Sequence, residues 1–210
     1  MFFIKQPFLL IFLILISLSI QAQKVETIEV KPTGIYATID DDRQNQMMQR
    51  LYDPATRATA VDTIFNNITD YNPPVMYLFS QALYLNGEKQ PAVEWYLYAQ
   101  LNALYDANRC ADNSAKQAVT ILESKTFPVL KDYILQHKES YVQTVDKVIL
   151  LFSKLAPTYD HRWINLHGIN SFTGVFDDKP DTTAVLSVDR LLWPKIKEET
   201  IQQFREMNKR

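Results

Sequence analysis

The sequence predicts an all-α domain, and three observations carry that prediction. Apolar residues recur at i, i+3, i+4 and i+7 through most of residues 40–157. Glycine occurs only four times in 210 residues, too seldom for the many tight turns of a sandwich or barrel. Prolines and Asn/Asp/Ser residues fall between the periodic stretches, where helices start and stop.

The chain opens MFFIKQPFLLIFLILISLSIQAQ, with one early cation at Lys5 and an apolar run from Phe8 to Ile16. This is the layout of a secretory signal peptide over residues 1–22, cleaved after Ala22. Ser17, Ser19 and Gln21 cut the run short of the roughly 20 apolar residues that a bilayer span requires, so no stable membrane insertion is expected once the leader is gone. Residues 23–210 then form one domain in the periplasm or outside the cell.

KVETIEV, Lys24–Val30, is rich in β-branched residues and ends at a Pro32-Thr33-Gly34 turn, which predicts a short strand. A first helix starts at the acidic run Asp40-Asp41-Asp42, carries Met47, Met48 and Leu51, and stops at Asp53-Pro54. A second carries Ala60, Val61, Ile64, Phe65 and Ile68 and ends before Asn72-Pro73-Pro74. Those prolines fit a helix start, and Val75, Leu78, Phe79, Ala82 and Leu83 form the stripe that follows.

Gly87 stops that helix, and Pro91 opens another that runs to Arg109. On this rod Ala92, Tyr96, Ala99, Ala103 and Ala107 make a small-residue face, and Val93, Leu97, Leu101 and Leu104 a large apolar one. Glu94, Asn102 and Asp106 leave only a narrow polar stripe, so the rod sits in the middle of the molecule. Trp95 and Tyr98, nearest that stripe, are the rings expected to stay exposed and to contribute to binding.

Gly87, Ala92, Tyr96 and Ala99, preceded by Phe79 and a small Ser80, resemble one tetratricopeptide-type helical hairpin over residues 74–109. Leu104 stands where that repeat type normally carries a proline, and no second copy of the spacing occurs, so the likeness implies one hairpin rather than an array. The run WYLYAQLNALYDANRC, with HRWINLHG further on, also resembles a group of uncharacterised exported bacterial proteins.

Asp112, Asn113 or Ser114 caps the next helix, with Ala115, Ala118, Val119 and Leu122, and Pro128 is expected to kink or split it before Val129, Leu130, Tyr133 and Ile134. Tyr141, Val145, Val148, Ile149, Phe152 and Leu155 form a further stripe, ended by Ala156-Pro157. Residues 158–182 lose periodicity and form a long aromatic loop. Thr182–Val188 is expected as a second strand, pairing with the first into a minor two-stranded flap. Trp193-Pro194 opens a terminal helix with Ile196, Ile201, Phe204 and Met207 inward.

Loss of Lys5 with the leader leaves 21 basic against 24 acidic groups, which gives no electrostatic footprint for nucleic acid. No glycine-rich phosphate loop occurs, and no cofactor is implied. His161 and His167 lie six apart with Asp160 adjacent, whereas helical metal ligands need a separation of three or four, so no metal site is predicted. The Asp40–Asp42 run lacks the alternation and glycine of a calcium loop and reads as helix-start charge. His137 reads as a solvated helix residue.

Two functions remain. Trp163, Ile164, Leu166, Phe172 and Phe176 give the 158–182 loop the residues of a protein-docking surface, with packing onto the helices as the alternative. A non-catalytic exported domain that docks a protein partner is the favoured function, and an immunity or inhibitor protein against an envelope-acting toxin is one concrete form. The rival is a cysteine hydrolase of peptides or wall fragments. There Cys110, activated at a helix start, has His161 or His167 as base and Asp160 or Asn165 as orienter.

Overall fold

A computed structural model describes residues 31–177, 179 and 181–209. The signal peptide and the expected strand Lys24–Val30 lie outside the described residues. Eight α-helices are described: α1 (Asp42–Tyr52), α2 (Arg57–Asn66), α3 (Pro73–Leu85), α4 (Lys89–Arg109), α5 (Gln117–Gln136), α6 (Lys138–Lys154), α7 (Ile169–Gly174) and α8 (Trp193–Met207). Tight 3₁₀ segments link them, including His161–His167. The described chain is all-α, and none of its helices is long and apolar enough to cross a membrane.

The helix starts follow from local chemistry. Asn72 accepts a hydrogen bond from the Val75 amide at 3.2 Å, satisfying one orphan donor while Pro73 and Pro74 need none. Gly87, at φ 89°, takes the left-handed conformation that closes α3 and turns the chain into α4. The two helices run antiparallel: Ser80 donates to the Ala92 carbonyl at 2.9 Å, and the Tyr77 and Tyr96 rings meet edge to face at 5.7 Å.

Helix α4 is unbroken and forms the axis of the molecule, with α3, α5, α6 and α8 packed around it. Ala99 and Ala103 are fully buried, which lets neighbouring backbones approach closely. Polar pairs fix the surrounding registers: Gln100 donates to Glu123 of α5, Lys147 of α6 pairs with Glu94, and Asn108 donates to Thr200 of α8.

Several expectations are corrected. Pro128 does not split α5, which is helical from Gln117 to Gln136. Residues 182–188 form no strand; Ser187 makes a single antiparallel bridge to Cys110, with Val188 donating to the Arg109 carbonyl at 2.9 Å. Met207 is part exposed at the end of α8, while Thr200 shares the buried face with Phe204.

Two residues of the polar stripe of α4, Asn102 and Asp106, are also buried, with Tyr159 and Trp163 lying over Asp106, while Glu94 is half-buried. Tyr98, expected outside, is 2% exposed, and Trp95 is half-buried against Phe65, Phe79 and Tyr98.

Candidate functional site

The segment after α6 is anchored by a carboxylate. Asp106, wholly buried, accepts from Arg109 Nη2 at 2.5 Å, from the Tyr159 hydroxyl at 3.0 Å and from Trp163 Nε1 at 2.8 Å. Burial holds its carboxyl above the usual range, against these three partners, which favour the charge. Tyr159 and Trp163 thus reach inward, and Ile164 follows them into the core. As surface residues of a docking loop, Trp163 and Ile164 are corrected: they pin the loop down.

Cys110 sits beside this knot. Its thiol donates to Asn165 Oδ1 at 3.1 Å and lies 3.4 Å from the Asp112 carbonyl. Burial, the largest effect, pushes its pKa up to about 11, the reverse of activation at a helix start. Asn165, expected as an orienter of histidine, accepts the thiol's hydrogen bond instead. Asp112 caps the following 3₁₀ turn through the Ser114 amide. Gly168 passes so close to it that a Cβ there would meet Asp112 Oδ2 at 2.3 Å.

The histidines are dispersed. His161 Nε2 lies 2.9 Å from Ser187 Oγ, and its ring meets the Trp193 edge at 5.0 Å. Burial, with Arg109, Arg162 and Arg190 nearby, lowers its pKa to about 4. His167 packs against the Trp163 ring at 5.6 Å, and burial lowers its pKa. His137 stacks on Tyr133 and bonds that residue's carbonyl. Asp160 is paired with Arg162 at 2.6 Å. Among the described residues no group of three His, Cys, Asp or Glu side chains is placed to hold a metal.

What remains outside is the end of the loop. Ile169, Phe172 and Phe176, spaced i, i+3 and i+7, are 62%, 59% and 71% exposed, and the two phenylalanine rings touch at 5.5 Å. Phe172, Leu166 and Val175 form one wall of a cleft of about 750 Å³. Asp40, Asp41 and Asp42, with Lys31, line the same cleft, which brings the acidic run to the cleft that Phe172 lines. The Thr33 hydroxyl donates to the Gly174 carbonyl at 2.8 Å and fastens the two segments together. The sequence pointed to Phe172, Phe176 and Leu166; it missed Ile169, although its spacing from the phenylalanines is helical.

The cleft is open, and its lining combines the apolar Leu166, Phe172 and Val175 with Asp40, Asp41, Asp42 and a single cation, Lys31. No protein-family model, curated protein or solved structure matches the chain.

Proposed function

We propose that this is an exported, non-catalytic binding protein that docks a protein partner at the cleft between α7 and the start of α1. The observation that carries this reading is the exposed trio Ile169, Phe172 and Phe176 on α7 and the turn that follows it, with Phe172 also lining the cleft. Large apolar side chains clustered outside a core are what a partner's binding energy is drawn from. Three carboxylates against one cation, Lys31, leave the cleft lining net acidic, which favours a partner segment with basic residues beside an apolar side chain.

The leader supports a periplasmic or secreted setting. An immunity or inhibitor protein against an envelope-acting toxin is one form of this function, with the toxin's basic surface as the occupant. The cysteine hydrolase draws no support from the geometry, since the Cys110 thiol is buried and bonded to an amide oxygen.

The test is a peptide array on the purified protein. Peptides with Lys or Arg flanking Phe or Leu are expected to bind, and Phe172→Ala with Phe176→Ala to weaken binding about tenfold or more at an unchanged melting temperature. Equal binding by the double variant, or a preference for acidic peptides, removes the proposal.

A further inference from the structure

A second cavity, of about 270 Å³, shares no lining residue with the docking cleft and opens between α4, α6 and the start of α8. Its size is near the lower edge of the roughly 300–1,000 Å³ usual for small-molecule sites. Three cations line it, Arg109, Arg190 and Lys197, and among the described residues no Asp or Glu does. That is unusual placement in a chain whose net charge is −2.

All three cations lie over rings, and only Arg109 is also paired with a carboxylate. The Arg109 guanidinium lies 3.9 Å from the Tyr105 ring centre and 4.6 Å from that of Trp193. Arg190 lies 5.4 Å from Trp193, and Lys197 4.9 Å from Phe152. Neither Arg190 nor Lys197 forms an ion pair among the described residues. Ring faces position a cation without occupying its N–H donors.

Arg109 completes the pattern. Its side chain is nine-tenths buried and spends Nη2 on Asp106, while its Nε is buried with no partner among the described residues. Asp106 is engaged by three donors at once, so it cannot also neutralise Arg190 and Lys197. With the Arg109 charge met by Asp106, the excess positive charge of Arg190 and Lys197 in a half-enclosed aromatic cavity favours an anion with a flat or apolar body.

We infer that this cavity is a binding site for a small organic anion, its carboxylate or phosphate received by Arg190, Lys197 and Arg109 and its body seated among Tyr105, Phe152 and Trp193. A neighbouring cavity of about 530 Å³ shares His161, Arg190 and Trp193 with it and is also lined by Arg162, Asp160 and Asp189, so it gives room for an uncharged extension of the ligand rather than for a second anionic group. His161 therefore stands at the junction and reports on occupancy. Burial, and after it the field of Arg109, Arg162 and Arg190, holds its pKa down; Asp160 opposes that field, and a bound anion offsets it further.

The experiment titrates the purified protein with benzoate, phenyl phosphate and uncharged benzamide, following the His161 ring by NMR and affinity by calorimetry. Benzoate or phenyl phosphate is expected to bind and to raise the His161 pKa, with benzamide at least about tenfold weaker. The tighter of the two anions identifies the head group. Arg190→Gln with Lys197→Gln is expected to weaken binding about tenfold or more without unfolding the domain, because Arg190 is exposed and Lys197 half-exposed. Benzamide binding as well as benzoate, affinity unchanged in the double variant, or no His161 response to either anion up to about 10 mM overturns the site.

Discussion

At Asp106 a buried carboxylate is tolerated because an arginine, a phenol and an indole all donate to it. Replacing it with alanine leaves the Arg109 charge buried and two donors unmet, so Asp106→Ala is expected to cost about 3–5 kcal/mol in urea unfolding. His161 gives a pH dependence of defined sign. Its folded pKa of about 4 lies below the unfolded value of about 6.5, so the unfolded chain binds the proton first. Stability from this residue is full above pH 6.5 and is lost as pH falls toward 4, by about 2 kcal/mol for a part-exposed ring. Melting curves of the wild type and His161→Gln across that window should converge at the acid end. Cys110 is expected to resist thiol reagents in the folded state and to react once denaturant is added, because its thiol is buried and its pKa is raised.

Among the elements, α4 was the most legible, since a rod with apolar residues around most of its circumference has to be enclosed. Its closest contacts depend on alanine, so Ala99→Leu or Ala103→Leu is expected to destabilise the protein by about 1–3 kcal/mol or more in chemical denaturation, through overpacking. Gly87→Ala, at a positive φ with open space around it, should cost about 1 kcal/mol from backbone conformation alone. Other elements were misjudged for physical reasons. Pro128 removes one amide and crowds one turn, yet the tertiary packing of Thr126 and Leu130 keeps α5 whole. The β-branched run 182–188 has no neighbouring strand among the described residues, so its propensity yields one bridge. The 158–182 stretch lacked periodicity because 3₁₀ turns bury residues at spacings that a helical stripe does not show.

In the whole molecule, the loop closes over α4 and divides its large apolar residues by fate. Tyr159, Trp163 and Ile164 go inward, and Phe172 and Phe176 stay outside. This division reduces a five-residue candidate surface to its outer end and brings the Asp40–Asp42 run to the cleft that Phe172 lines, a distance of more than a hundred residues along the chain. Arg109, Arg190 and Lys197 come together in the same way, from helices at opposite ends of the sequence half they span. The sequence by itself determined the helical class, the helix start at Pro73-Pro74, a capped start within Asp112–Ser114, the enclosure of α4 and the export leader's composition, because periodicity, capping and hydropathy act over one or two turns. Only the tertiary structure decided which polar groups are buried, which rings remain open and which charges share a cavity, because those outcomes depend on how distant segments compete for the same surface of α4.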